Sequence, residues 1–375
     1  MRLMLYRNLI NMPKVRVATG LYSHWDSIIK IYKKVLDWIN IQRAVKPKDI
    51  VLNSIEEIAY SLKNSIKNGD SESLISEHAY HKLNSIFQKR KMRLGGNGNN
   101  MGRILFGVGI IPLVSYPIRP EKLMKASPDF KVACKNGFKI PKKLIRKNDP
   151  EYEHIIFESD KWRNIFSWDL MTSKGIFDEN FLEFAFNPKF TDIAIISYAH
   201  LLLPKYKRRT DILLDNLKQK RSKIHLEFGV GSKESMVYAM KRFSEYEACD
   251  SWGMNEKECK TYLDARTEKI KDLTEAALKA VKDYNLERVC IHSSKFAFSV
   301  SKYDIKKEID ALTEGCRVAS LKATGKLGLQ KSKVIKKKLN GYNFCLVPSF
   351  FNPHLRKITG LGDAFAAIQA VKILG

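Results

Sequence analysis

The chain has 375 residues, with 66 lysines and arginines against 40 aspartates and glutamates and a formal net charge of +26. Hydrophobic residues make up 44% and aromatics 10%, an ordinary globular composition that excludes wholesale disorder. This length suits one large domain with a smaller one, or two medium domains, and no run is long and apolar enough to span a bilayer.

The field of such a chain attracts anions: nucleic acids, and equally nucleotides and sugar phosphates. The basic residues sit in short clusters at 142–147, 205–209 and 331–338 rather than in one tail, which reads most simply as a solvated surface. The start, residues 1–12, mixes charge with apolar positions and lacks a signal-peptide core, and Met12 is an alternative start just ahead of the first strand. Cys134, Cys249, Cys259, Cys290, Cys316 and Cys345 form no C-x-x-C pair and match no zinc spacing. They read as free, mostly buried thiols in a reducing compartment, and the chain as a soluble cytoplasmic protein.

In chain order, a first strand is expected over 14–19, followed by a helix over about 23–40. Helical periodicity recurs at 54–67 and 78–89, and the apolar run 106–114, with its Gly and Pro, reads as a buried strand with flanks. Strands are expected at 110–115, 154–158, 192–197 and 223–228. Helices follow at 233–247, 255–263 and 266–284, then a strand at 288–292, a helix at 304–324, a strand at 344–347 and a last helix over 363–373. Strands alternating with helices of this length predict crossover units and a mostly parallel, doubly wound sheet, whose ligands bind beyond the carboxyl ends of the strands.

Three motifs sit at such ends. Thr359-Gly360-Leu361-Gly362-Asp363 precedes a run of helix formers. Glycines let a backbone turn its N–H groups on a ligand, and the helix N-terminus adds a positive dipole end. A carboxylate there can take the proton of an attacking hydroxyl in phosphoryl transfer. The same residues also read as a glycine turn with Asp363 as helix N-cap. His225-Leu226-Glu227 closes the strand at 223–228, where Glu227 suits either a strand-end ion pair or a metal. Asn255 and Glu258, in Asp250-Ser251-Trp252-Gly253-Met254-Asn255-Glu256-Lys257-Glu258, lie three apart on one helix face. They suit a hydrated Mg2+, and equally a capping box.

Together the HLE, DSWGMNEKE and GLGD segments resemble, in order and content, the archaeal ADP-dependent glucokinase and phosphofructokinase family of the ribokinase-like superfamily. The resemblance implies a large doubly wound α/β domain, roughly 12–26, 90–120 and 190–375, and a smaller α/β lid, roughly 27–89 and 121–189. It implies phosphoryl transfer from ADP to a hydroxyl of a sugar or sugar phosphate, Mg2+-dependent and releasing AMP. Asp363 becomes the catalytic base, and Glu227, Asn255 and Glu258 the Mg2+ neighbourhood. Gly360, Leu361 and Gly362 form the anion hole, with His292 and Val347 on the nucleotide side. Gly95-Gly96-Asn97, ahead of Met101, resembles the family's sugar-site segment. Residues 347–360 resemble its approach to the adenine-side loop, and Arg163, in Trp162-Arg163-Asn164, resembles a lid arginine.

The first-strand motif departs from the family. Asp26 stands where the family's aspartate holds sugar hydroxyls, but the two neighbouring asparagines are replaced by Tyr22 and His24, and the glutamate that favours glucose falls at Glu72 or Ser73. The phosphate-transfer side is kept while the acceptor side is rewritten, so the reaction is expected to persist with an altered acceptor. The competing readings are a non-catalytic or differently specific ribokinase-like relative, such as a nucleoside or ribose phosphate kinase, and a basic nucleic-acid-binding protein supported by charge alone.

Overall fold

The computed structural model describes residues 10–88, 90–168, 171, 174–198, 205–217, 222–229, 231–330, 333–351 and 360–375. The predicted motif residue Thr359 and the approach at 352–359 lie outside the described residues. Among those described, no helix is long and apolar enough to cross a membrane.

Nine strands form the larger sheet. In spatial order they are Ile335–Leu339, Tyr342–Pro348, Phe296–Ser301, Arg288–His292, Ser251–Asn255, Lys223–Phe228, Ile193–Tyr198, Val17–Gly20 and Leu113–Val114. The six from Arg288–His292 onward are parallel; the first three pair antiparallel at one edge. The parallel strands are buried on both faces, which is why Ile193–Tyr198 (IAIISY) reads as a continuous apolar run without alternation. The strand at Lys223–Phe228 and the one at Arg288–His292 fall where the sequence puts them.

The six-stranded sheet runs Val51–Leu52, Ser71–Ile75, Arg163–Ser167, Glu153–Glu158, His24–Lys30 and Lys91–Gly95. One of its faces packs Ile29, Ile75, Ile155, Phe157 and Phe166 on the helices Lys33–Ile41, Ile55–Asn68 and Glu77–Ile86. The opposite face carries Asp26, Glu72, His154 and Ser167 and looks into a cavity shared with the larger sheet. The alternation of strand side chains sorts apolar from polar in this way.

Two sequence expectations fail. The helix expected over 23–40 is a strand, His24–Lys30, followed by the helix Lys33–Ile41. Trp25, Ile28 and Ile29 favour a pleated surface, and pairing to Glu153–Glu158 on one side and Lys91–Gly95 on the other decides for the strand. The buried strand read into 106–114 shrinks to Leu113–Val114; Phe106 and Gly107 end the helix Asn97–Gly107. The smaller-sheet strands at Val51–Leu52, Ser71–Ile75, Lys91–Gly95 and Arg163–Ser167 are short and carried no clear sequence signal.

The C-terminal helix Leu361–Leu374 is buried almost all round, and Ile305–Thr324 packs alongside it. Gly315 permits that approach: a Cβ there would stand 2.7 Å from Phe365 Cδ2 and 3.2 Å from Gln369 Cβ. Gly315→Ala therefore lowers stability by about 1–3 kcal/mol despite alanine's better helix propensity, because the Phe365 ring has to move. Denaturant unfolding reads the loss.

Candidate active site

A cavity of about 1020 Å3 opens between the two sheets. Of the residues singled out in the sequence, Asp26, Gly96, Asn97, Arg163, Glu227, Asn255, Glu258, His292, Gly360, Leu361, Gly362 and Asp363 line it. Gly95 lies behind Asp26, where a Cβ would come within 2.0 Å of Oδ1. Val347 is fully buried in the edge sheet among Cys290, Leu312 and Phe365, and does not line the cavity.

Gly360, not Asp363, is the N-cap of the last helix, in the left-handed region at φ 75° and without a side-chain cap. Asp363 is thereby released from capping. Its Oδ2 accepts a hydrogen bond from Asn100 Nδ2 at 2.9 Å. Lys322 Nζ donates to the Gly360 carbonyl at 2.5 Å and stands beside the carboxylate. Burial pushes the Asp363 carboxyl up; Lys322, Asn100 and Arg163 oppose this without cancelling it. A carboxyl raised from its usual range is the better proton acceptor for a hydroxyl.

Asn255 and Glu258 do form the capping box. Asn255 Oδ1 accepts from the backbone N–H groups of Lys257 and Glu258 at 2.9 Å each, and Glu258 Oε2 accepts from Asn255 N at 2.8 Å. Both still line the cavity. Burial pushes the Glu258 carboxyl up to about 7, with help from the nearby Glu227 and Glu256 charges.

Glu227 is held by two histidines. His225 Nε2 lies 2.7 Å from Oε1, and His292 Nε2 lies 3.6 Å from Oε2. Burial works to raise this carboxyl, but the histidines outweigh it and hold it near 2. Gly253 is required on the neighbouring strand, since a Cβ there would fall 1.9 Å from Glu227 Oε1. His225 is wholly buried and does not reach the cavity. Behind it, Gln369 Nε2 lies 3.0 Å from His225 Nε2, Arg288 Nη1 donates to Gln369 Oε1 at 2.6 Å, and the Arg288 Nε pairs with Glu308 at 2.9 Å.

The sequence reading missed Asn100 and Lys322 beside Asp363. Asn100 lies in the Gly95–Met101 segment, one helical turn past Asn97, and that spacing was its signal. Lys322 had none. On the smaller sheet it missed His24 and His154, whose rings stack at 3.7 Å, and Ser167. Of the two candidates at 72 and 73, Glu72 faces the cavity, while Ser73 Oγ turns away to Ser61 Oγ at 3.3 Å.

A large α/β sheet whose strand ends meet one face of a smaller sheet across a cavity, with a glycine-led helix start lining it, makes the ribokinase-like fold, and solved structures agree. A structure described as a hypothetical ADP-dependent phosphofructokinase from Pyrococcus horikoshii OT3 shares 18% identity over 97% of this chain and 99% of its own, with a TM-score of 0.74. An ADP-dependent kinase solved with fructose-6-phosphate and ADPbetaS shares 16% over 96% and 93%, with a TM-score of 0.76. A phosphofructokinase from Pyrococcus horikoshii OT3 solved with AMP shares 17% over 97% and 99%, at 0.72. None of the curated proteins matches the chain by sequence. The ADP-specific phosphofructokinase/glucokinase conserved region matches residues 15–339, and the chain belongs to that family. It is accordingly a phosphotransferase with an alcohol acceptor.

Gln369→Leu takes from Arg288 Nη1 the acceptor it meets at 2.6 Å and costs about 1–3 kcal/mol in urea unfolding. In metal-free protein, Glu258 binds its proton up to about pH 7 when folded but releases it near the model-peptide value of 4.5 when unfolded. Stability therefore falls as pH rises through that window. Glu258→Gln keeps the capping geometry and removes this slope, so the two proteins converge at the acid end and the variant is the more stable near neutrality; equal slopes refute the assignment.

Proposed function

We propose that the chain transfers the terminal phosphoryl group of ADP to a hydroxyl of a sugar or sugar phosphate, releasing AMP. The convergence of Asp363, the Gly360–Gly362 turn, the Glu227/Glu258 pair and the smaller-sheet residue Asp26 on one cavity carries this reading. The ligands of the related kinases, an ADP analogue with fructose-6-phosphate in one and AMP in another, support it. We take the smaller sheet as a lid and the larger as the nucleotide-binding part.

The acceptor hydroxyl lies between Asp26 and Asp363. Asp363 takes its proton as the bond to phosphorus forms. The N–H groups of the Gly360–Gly362 turn and the start of the 14-residue C-terminal helix face the charge on the transferring group. Lys322 holds the turn through the Gly360 carbonyl. Arg163 reaches toward Asp363 from the smaller sheet.

Among the described residues no group of three or more His, Cys, Asp or Glu side chains is arranged to hold a metal. Mg2+ needs fewer, because it keeps waters and binds donor phosphates. Glu258 lies close enough to Glu227 for their charges to act on each other, and such an acidic pair on the cavity wall suits a hydrated Mg2+. Glu227, Asn255 and Glu258 would hold the Mg2+, which would supply neutralisation of donor phosphate charge. The apolar slot of Ala297, Cys316, Ala319 and Phe350 suits the adenine.

Asp363→Asn lowers kcat by about 10²–10⁴-fold while leaving ADP binding within a few-fold, measured by AMP formation and calorimetry. Retained turnover in that variant refutes the base.

A further inference from the structure

We propose that the outer edge of the larger sheet, the stretch from Lys326 to Leu339, is a docking surface for a membrane of acidic lipids. The proposal stands apart from the kinase reading. Ile335–Leu339 pairs antiparallel with Tyr342–Leu346, and Leu329 and Gln330 pair with Phe351 and Phe350. Both pieces therefore run along the same inner arm, 342–351, and form one edge. Among the described residues, Ile335–Leu339 has a strand on one side only. The basic cluster at 331–338, which reads as solvated surface in the sequence, is thus gathered along this edge with Lys326.

Charge gives the sign of the partner. From Gly315 to Gly362 the sequence has no aspartate or glutamate and ten lysines and arginines. Six of the lysines fall within 326–338, and among the described residues Lys326, Lys333, Lys336, Lys337 and Lys338 form no ion pair. Exposure gives the chemistry. Leu329 is 76% exposed, Ile335 51%, Leu327 48% and Val334 39%, all set among those lysines. Single exposed aliphatic residues are ordinary, but four gathered within 327–335 ask for a partner with an apolar interior. A nucleic acid is gripped by arginine forks and aromatic faces, and residues 325–341 contain no arginine and no aromatic. Edge pairing with a second copy would set Lys336, Lys337 and Lys338 against the same three lysines. A surface of acidic lipids meets both halves of the edge. The aliphatic side chains enter the boundary of the acyl chains, and the lysine stems lie along it with their ammonium groups on the phosphates. The open backbone edge stays in the headgroup layer, where water and headgroups can pair with it.

The test sediments the full-length protein with vesicles of phosphatidylcholine alone, and of phosphatidylcholine and phosphatidylserine in equal parts, at low and at high salt. Binding is expected to the acidic vesicles only, and to weaken at least about tenfold at high salt. The triple variant Lys336→Gln, Lys337→Gln, Lys338→Gln is expected to weaken it by at least about tenfold, each lysine near such a surface being worth roughly fivefold. The double variant Leu329→Ser, Ile335→Ser leaves the charge unchanged and is expected to weaken it by at least about fivefold. Lys142→Gln with Lys143→Gln, in a basic cluster elsewhere, is expected to leave it within about twofold. Circular dichroism checks that each variant is folded. Without any variant, acidic vesicles are expected to slow trypsin cleavage after Lys333 and Lys336–Lys338. Random single-stranded RNA is the competitor. Equal binding to both kinds of vesicle, binding to neither, unchanged cleavage, or an equal loss in the Lys142/Lys143 variant overturns the proposal. So does RNA bound through the same lysines with no effect of the Leu329/Ile335 variant.

Discussion

Everything at the catalytic end of this protein hangs on a cation with no access to water. Arg288 and its partner Glu308 are both fully buried, at the heart of the larger sheet. Burial works against the Arg288 charge, and the Glu308 carboxylate more than offsets it. Because a guanidinium can only donate, Arg288 fixes the Gln369 amide with its oxygen inward and its NH2 toward His225. His225 in turn holds Glu227, and Ser251 Oγ, 2.9 Å from His225 Nδ1, steadies the ring. Gln369 lies on the same helix as Asp363. A single buried network therefore ties Glu227 to the helix that carries Asp363. Buried ion pairs contribute little net stability but are costly to break, which suits them to fixing a geometry.

The acceptor side is hung differently. Of the places where the chain passes between the sheets, two, at Tyr22–Ser23 and at Gly95–Gly96, are laced to each other. Gly98 N donates to Tyr22 O at 2.9 Å, and a Cβ on Gly96, at φ 80°, would come within 2.6 Å of that carbonyl. Asp26 and Asn97 follow these crossings directly, so the residues that meet the acceptor sit where the two bodies join. Glu227 and Asp363 are anchored in the packed core of the larger sheet, whereas Asp26 and Glu72 are carried by the smaller sheet.

This division explains what the sequence could and could not reveal. The core strands Lys223–Phe228 and Arg288–His292 were legible because each is a short run with Ile, Leu, Phe or Val set between long helical periodicities, even though each also carries polar residues. Asp363, Glu227 and Glu258 were legible because each is announced by neighbours: glycines before a helix, a histidine two residues back, an asparagine three back. The choice between capping and chemistry was not, since it depends on φ at Gly360 and on where Asn100 arrives from, 263 residues away in the chain. The smaller sheet was the least legible part. Its strands are short, its polar face carries His24, Asp26 and Glu72 where an apolar alternation would signal a strand, and only pairing with distant strands decides their state.

Net charge is the one global property that misleads about the local site. A formal +26 favours the approach of any anion, nucleotide donor included. Yet surface charge is screened over about 8 Å at physiological salt, while charges inside a cavity act through a poorer dielectric. At the acceptor end those nearby charges are Asp26, Asp70 and Glu72, and the arginines beside them are already engaged. The chain thus combines a surface that attracts anions with a cavity wall on which Asp26, Asp70 and Glu72 stand together. Long-range attraction acts on how fast an anion arrives, and the charges inside the cavity act on what has entered it.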